Sequence, residues 1–213
     1  MSGHADYTNI ILTNPREIRV PTIAGTRESL RGLAKIVTDF DKERVINVTW
    51  PKTRGRMVQP GTGDQAAPTE GEFVVNRQLR LVEVTNTAVP DGDYTTGMAL
   101  NPGGQIWVRE ANYHPCGGQI VFPSVPSADS FYYVLLGPPG DDVDHTQFRC
   151  FRIPGNIGIQ ILPGVWHQPV YPSQIGETRF RNKQCSVHAC VVMDTILERN
   201  LVFAIDIGPS SKL

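Results

Sequence analysis

Runs of about four to eight apolar and β-branched residues, separated by turns that contain Pro or Gly, fill this chain from residue 72 onward. Examples are FYYVLLG, FRCFRI and LVFAID, and MALNPGGQIWVRE has the pattern of a hairpin closed by a Pro-Gly-Gly turn. The 213 residues include 20 Gly and 17 Pro, which suits tight turns better than long helices. About eight to ten short strands at this spacing predict an all-β barrel or sandwich.

The N-terminal part of the chain has a different pattern. Residues 26–40, TRESLRGLAKIVTDF, are predicted to form a helix because their apolar side chains keep helical spacing: Leu30, Leu33, Ala34 and Val37. We therefore expect one domain over residues 1–213. It comprises an N-terminal helical extension (1–44), a long loop (52–72) and a barrel core with the motif residues (105–207).

The charge pattern excludes some classes of function. Twenty Lys and Arg residues balance 21 Asp and Glu residues, for a formal charge of −1, and no dense basic run indicates nucleic-acid binding. No apolar segment approaches the roughly 20 residues of a membrane-spanning helix. The start of the chain lacks the pattern of a signal peptide, and the four cysteines are scattered without a CxxC pair. We therefore expect a soluble, cytoplasmic protein with reduced thiols.

Two groups of polar residues interrupt the apolar strands. In the first, Asn112 and His114 are two residues apart and so share one face of a strand, and Gln119 follows. In the second, His167 follows a Pro163-Gly164 turn. Cupin barrels bind a metal through a His-x-His motif with a later Glu, and through a second motif that supplies another His. Here Asn112 and Gln119 stand where one His and the Glu would be.

These substitutions leave three interpretations of the histidines open, and in the first of them His114 and His167 are half-buried structural residues. His114 and His167 could bind a divalent ion such as Zn, Mn or Ni, but two neutral amides hold such an ion far less well than a carboxylate and a third imidazole. Alternatively, the two histidines transfer protons, which we favour. His188 is either a core residue or a pocket residue, and Cys190, two positions later, shares its face. Cys116 lies in the glycine-rich turn, where we expect an exposed, incidental thiol.

The segment from Glu110 to Val170 resembles the core of the ureidoglycolate lyase family, whose members are cupin-like β-barrels. The resemblance lies in His-Pro-x-x-x-Gln at 114–119 with the apolar run to Pro123, the strand at 132–136 and the Phe-Arg-Cys-Phe of 148–151. A Gly-x-Trp-His-x-Pro segment then ends at Pro169. The match covers about sixty residues, and its two histidine motifs in this order are fairly specific.

The resemblance implies a jelly-roll, antiparallel cupin-like barrel with a short N-terminal helical segment. It also implies an enzyme that splits ureidoglycolate, a small carboxylate, into glyoxylate and urea, a step of allantoin degradation in purine catabolism. His114 or His167 would be the general base, and Gln119 would orient the substrate. The remaining predicted substrate contacts are Asn112, Arg109, Arg149, Trp166 and His188. A homodimer is expected, paired through the FYYVLL and LVFAIDI runs.

Two other functions fit the same sequence. Departures from the family pattern at residues 112, 113, 118 and 188 favour a cupin enzyme that acts on a different small acid or sugar acid. A non-catalytic barrel that binds a small metabolite is the third possibility.

Overall fold

In the computed structural model, the described residues are 13–49, 55–63, 66, 68–88, 92–100, 104–168 and 170–207. They form an all-β fold that includes the short α-helix α1 at Thr195–Arg199 and a 3-10 helix at His145–Gln147. The strands in chain order are β1 (Arg16–Val20), β2 (Thr22–Ala24), β3 (Ala34–Val37), β4 (Glu70–Arg77), β5 (Leu81–Asn86), β6 (Asp93–Ala99), β7 (Gln105–Val108), β8 (Glu110–Tyr113), β9 (Gln119–Pro123), β10 (Phe131–Gly137), β11 (Arg149–Pro154), β12 (Gly158–Ile161), β13 (Trp166–His167), β14 (Tyr171–Pro172), β15 (Gly176–Gln184), β16 (Val191–Asp194) and β17 (Leu201–Asp206).

The strands belong to two sheets. The larger sheet has the order β1-β17-β7-β6-β5-β4-β15-β9-β12-β3, and the smaller has the order β16-β8-β13-β10-β11-β2, with β14 also paired to β10. The all-β prediction is confirmed, and the architecture fits a cupin-like fold, although the strands do not close into a barrel. The predicted hairpin is present as the β6–β7 pair, and its turn residues 101–103 lie outside the described residues.

The sheets are mixed, whereas an antiparallel fold was predicted. Two N-terminal strands pair in parallel, β1 with β17 and β2 with β11, and the other strand pairs are antiparallel. Parallel pairing requires a long connection between the partners. Strands β1 and β2 meet that requirement because their partners, β17 and β11, lie far away in the sequence.

The predicted helix at residues 26–40 is wrong. Residues 27–33 form turns, Ala34–Val37 is strand β3, and residues 14–44 contain no helix. Gly32 has φ of +80°, a left-handed conformation that ends a helix. The apolar spacing instead serves burial and pairing, since Leu30 is fully buried and β3 pairs antiparallel with β12.

The larger sheet contacts both faces of the smaller sheet. Neighbouring residues Tyr132 and Tyr133 of β10 point to opposite faces. Tyr132 packs edge-on against Phe180 of β15, with ring centroids 5.2 Å apart. Tyr171, the cross-strand partner of Tyr133, contacts Thr96 of β6 through its hydroxyl group at 3.1 Å. The face of the smaller sheet that carries Tyr132 therefore lies opposite the β15 half of the larger sheet.

The expected dimer interface does not have exposed strand edges. The FYYVLL run is β10, which has β11 on one side and β13 and β14 on the other. The LVFAID run is β17, which lies between β1 and β7. Both runs are interior strands, so the pairing mode predicted from sequence is wrong.

No helix in the part of the chain that the structure describes is long and apolar enough to cross a membrane.

Candidate active site

His114 and His167, predicted as a pair, lie together in the interior. His114 follows the end of β8, and His167 ends the two-residue strand β13. Their ring centroids are 5.1 Å apart, and the two residues are only 7% and 3% exposed. A backbone hydrogen bond also links their segments, since the N–H of Gly164, in the turn before β13, donates to the His114 carbonyl at 3.0 Å.

Backbone hydrogen bonds fix the tautomer of both rings. His114 Nδ1 lies 2.9 Å from the Ala189 carbonyl oxygen, and His167 Nδ1 lies 2.8 Å from the Val165 carbonyl oxygen. A carbonyl oxygen only accepts, so each Nδ1 carries the hydrogen and donates it. Each neutral imidazole therefore presents an unprotonated Nε2, which can accept a proton or a hydrogen bond.

Burial keeps these imidazoles neutral. It lowers the pKa of His114, although the bond to the Ala189 carbonyl opposes this effect. Burial, followed by the nearby His114, lowers the pKa of His167 to about 3. The charged forms are disfavoured because water is excluded and a second imidazole lies close by. At neutral pH both residues are bases that have not yet taken up a proton.

His188 completes a row of three imidazoles with His114 in the middle. Its ring centroid is 5.5 Å from that of His114, and burial lowers its pKa to about 4. It is less buried than the other two and lies beside the predicted long loop. In that loop, Gly63 N–H donates to the His188 carbonyl and Gln59 N–H to the Cys190 carbonyl, both at 2.7 Å. The described part of loop 52–72 therefore covers the chain on either side of His188.

Asn112 lies on the same face as His167, since the two are direct partners between β8 and β13. Its side-chain oxygen is buried and has no hydrogen-bond partner among the described residues. On the other side of β13, His167 is opposite Leu136, which is in turn opposite Arg149. Arg149 thus shares this face, two strands or roughly 10 Å from His167. Its Nη1 donates to the carbonyls of Thr146 and Phe148.

A row of amide side chains lies on the facing part of the larger sheet. Gln119 of β9 is paired with Gln184 of β15, and Asn182 lies two residues away on the same face of β15. Phe180 also belongs to this face and contacts Tyr132, so the amides face the histidine-bearing side of the smaller sheet. Asn182 is fully buried, and neither atom of its amide has a hydrogen-bond partner among the described residues.

Gln184 is only partly satisfied. Its Nε2 donates to the carbonyls of Pro68 and Ala88, while its Oε1 has no partner in the described part of the chain. Sequence reasoning found Gln119 but missed Asn182 and Gln184. The available signal was the period-two spacing of 182 and 184 within a buried strand, but the sequence does not show which face is interior.

The turn between His114 and Gln119 needs glycines because other backbone segments lie very close to it. A Cβ on Gly117 would lie 2.5 Å from the Ile46 carbonyl oxygen, and a Cβ on Gly118 would lie 2.6 Å from the Ile161 carbonyl oxygen. Both distances are shorter than side chains tolerate. The two glycines let residues around Ile46 pack against the turn, which holds His114 in place.

Two predicted substrate contacts have other partners. Arg109 forms an ion pair with Asp194, with Nη2 and Oδ2 2.6 Å apart, and Asp194 also caps α1. Trp166 points to the opposite face from its neighbour His167. There it packs edge-on against Tyr113 and donates to the Gly140 carbonyl at 2.6 Å. Tyr113, one of the departures from the family pattern, therefore also lies away from the histidines.

Glu110 is an ionisable residue on the face of β8 that carries Asn112, and the sequence did not identify it as a site residue. It lies two residues before Asn112 on β8, directly opposite Asp194 of β16. Burial, with Asp194 nearby, raises its pKa to about 7, although Arg109 acts in the opposite direction. A carboxyl group in this environment holds a proton near neutral pH. The alternation of 110, 112 and 114 was the signal that could have identified it.

The donor atoms in this region make a weak metal site. No group of three or more His, Cys, Asp or Glu side chains suited to a metal occurs within the described ranges. His114 and His167 could offer two imidazole nitrogens, and Asn112 an amide oxygen. This set has two imidazoles and an amide, and the nearby ring of His188 does not complete a group suited to a metal among the described residues. The residues fit proton transfer better than a resident metal.

Together, the fold and the site define an all-β protein whose architecture fits a cupin-like fold, with a buried histidine pair on the side that faces interior amides. A sequence model of the ureidoglycolate lyase family matches residues 69–190, more than half of the chain. That range includes His114, Gln119, His167, Asn182 and His188. The chain belongs to the ureidoglycolate lyase family.

Individual relatives show the same similarity over shorter spans. The chain is 34% identical to the ureidoglycolate lyase of Azotobacter vinelandii over 65 residues, 30% of this chain and 37% of that protein. It is 39% identical to that of Burkholderia mallei over 57 residues, 27% and 31% of the two chains. With the ureidoglycolate lyase of Pseudomonas putida it shares 27% identity over 133 residues, 55% and 77% of the two. The first two matches thus span about a third of each relative's length.

Proposed function

We propose that the protein is a ureidoglycolate lyase, which converts ureidoglycolate into glyoxylate and urea by histidine acid–base chemistry. Membership of the family supports the substrate. The observation that carries the mechanism is the pair of buried, neutral imidazoles whose Nδ1 atoms donate to carbonyls, so that both Nε2 atoms are acceptors. The bond to be broken in ureidoglycolate is the C–N bond between the carbinol carbon and the ureido nitrogen. The O–H on that carbon and the N–H on that nitrogen are both hydrogen-bond donors.

The reaction needs a net transfer of one proton from oxygen to nitrogen. His114 Nε2 takes the carbinol proton, the C=O bond of glyoxylate forms, and the electrons of the C–N bond go to the nitrogen of urea. The imidazolium then gives the same proton to that nitrogen, which restores neutral His114. Burial supports this cycle, because a low pKa makes His114 give up the proton readily. His167 Nε2 accepts the ureido N–H and holds the substrate in position.

The other groups of the interior suit the remaining parts of the substrate. Arg149 shares the face of His167 and is the better placed of the two predicted arginines to bind the carboxylate, since Arg109 pairs with Asp194. The amides of Gln119 and Asn182 match the donors and acceptors of the urea group. No step of this scheme requires the Zn, Mn or Ni ion considered from the sequence.

Release of glyoxylate from ureidoglycolate by the purified chain tests this proposal. We expect turnover after EDTA treatment, and a loss of roughly 10²- to 10⁴-fold in kcat for His114→Gln. The matched control is His145→Gln, which changes a half-buried histidine that stacks on Phe148 in a turn outside the histidine row. No glyoxylate from the wild-type protein, with or without added Mn²⁺, Ni²⁺ or Zn²⁺, would reject ureidoglycolate. A thermal-shift screen of small acids and sugar acids would then distinguish another enzyme of this fold from a binding protein.

The biological setting is part of the same proposal. This activity would place the protein in allantoin degradation, in the cytoplasm. A homodimer remains proposed from the resemblance, because the strand runs expected to mediate it are interior. Size-exclusion chromatography with light scattering measures the oligomeric state, and a mass near 23.5 kDa would reject the dimer.

A further inference from the structure

Two cysteines from distant parts of the chain are in contact beside the active site. Cys116 Sγ and Cys185 Sγ are 2.7 Å apart, and both thiols also approach the Val187 carbonyl oxygen, at 2.9 and 3.0 Å. The residues are 4% and 3% exposed. The thiol of Cys116 is therefore buried against a second thiol, and the expectation that it is exposed is wrong.

The two cysteines lie on separate segments, and each segment also carries a histidine of the site. Cys116 lies two residues after His114, and Cys185 follows the end of β15, three residues before His188. Gly117 makes the approach possible, because a Cβ at that position would lie 2.7 Å from the Cβ of Cys185. The contact thus depends on the same turn that holds His114.

A cavity borders one of the two cysteines. Its volume is about 370 Å³, and Cys116 lines it together with Asn47, Thr49, Ser186 and other residues. Cys185 does not line this cavity. A small oxidant that enters would therefore meet Cys116 first, with Cys185 directly behind it. The contact with Cys116, followed by burial, raises the pKa of Cys185.

We propose that Cys116 and Cys185 are a peroxide-sensitive pair that forms a reversible disulfide bond. The Cys116 thiolate attacks a hydroperoxide, the O–O bond breaks, and Cys116 becomes a sulfenic acid as hydroxide or alkoxide leaves. Cys185 then attacks the Cys116 sulfur, the S–O bond breaks, and water leaves as the S–S bond forms. With H₂O₂, two thiols and one peroxide give one disulfide and two waters. A dithiol reductant reverses the change.

The disulfide would fix the relative position of the segments of His114 and His188. It would close a loop of about 70 residues, which restricts the unfolded chain and raises thermal stability. Formation of the bond does not depend on the proposed lyase activity, so the two proposals succeed or fail separately.

The experiment treats the full-length protein with H₂O₂, alkylates the remaining thiols in denaturant and maps the peptides by mass spectrometry. We expect the wild-type protein to lose two alkylatable thiols and about 2 Da, to contain a Cys116–Cys185 peptide, and to recover both thiols with dithiothreitol. Its Tm should rise on oxidation. Cys185→Ser should instead accumulate a sulfenic acid at Cys116 that dimedone traps, without an internal disulfide.

Cys150→Ser and Cys190→Ser are the matched controls, since both replace buried cysteines outside the pair. Both should form the same disulfide as the wild type. Thermal melting of each reduced variant checks that it is folded. Four alkylatable thiols in the wild-type protein after oxidation, or a bond from Cys116 to Cys190, would overturn the proposal.

Discussion

Replacement of Asn182 by Leu should raise stability and lower activity together. Asn182 is fully buried, and neither atom of its amide has a partner among the described residues. A buried amide without a hydrogen bond costs about 1–3 kcal/mol, and Leu has the same branching at Cγ with no polar atoms. We therefore expect the free energy of unfolding to rise by about 1–2 kcal/mol. For a chain of this length that corresponds to roughly 2–8 °C in Tm.

The activity of Asn182→Leu should change in the opposite direction. If the amide binds the urea group, its loss removes about 1–3 kcal/mol of substrate binding, or a factor of roughly 5–150 in kcat/KM, mostly through KM. Thermal or urea denaturation measures the first effect, and glyoxylate release over a range of substrate concentrations measures the second.

Asn86→Leu is the matched control for this prediction. Asn86 of β5 is also buried, at 6% exposed, but its side-chain oxygen accepts the Ala88 N–H at 3.0 Å. Loss of that bond should destabilise the protein without a specific change in KM. If Asn182→Leu instead lowers Tm as Asn86→Leu does and leaves kcat/KM unchanged, the amide is structural and the reasoning is refuted.

Two further predictions concern pH and the cap of α1. Because the pKa values of His167 (about 3) and His188 (about 4) lie below the value near 6.5 of an unfolded chain, the unfolded state binds more protons at acidic pH. Tm should therefore fall as pH decreases from 6.5 towards 4, and less steeply in His167→Gln; a Tm that rises over this range contradicts the assignment. Asp194→Ala should cost about 2–5 kcal/mol in urea denaturation, because it removes the cap of α1 and leaves Arg109 partly buried without its carboxylate. The control Glu177→Ala, at an exposed ion pair, should cost less than about 1 kcal/mol.

The strands were predictable because their pattern is local. Apolar runs bounded by turn residues identified β10, β11 and β17, and the hairpin β6–β7, without knowledge of their partners. The helix predicted at residues 26–40 failed because the apolar spacing there is produced by contacts with a distant strand, β12. Local spacing cannot distinguish burial against a remote strand from the apolar face of a helix.

The site was predictable only where the residues themselves are unusual. His114 and His167 stand out as polar side chains in apolar strands, and the structure brings them together. Asn182 was missed because the polar strand GETRFRNKQ shows no apolar face from which its inner side could be identified. Only the contact of Phe180 with Tyr132 reveals that side.

The pairing of β1 with β17 affects how the chain can fold during synthesis. Strand β1 is at the edge of the larger sheet, and β17 is its neighbour there, so among the described strands β1 has no sheet partner until β17 has been synthesised. Strand β1, Arg16–Val20, can therefore pair in the sheet only after Leu201–Asp206 has been made. Truncation near residue 200 should leave this strand unpaired and open to association with other chains.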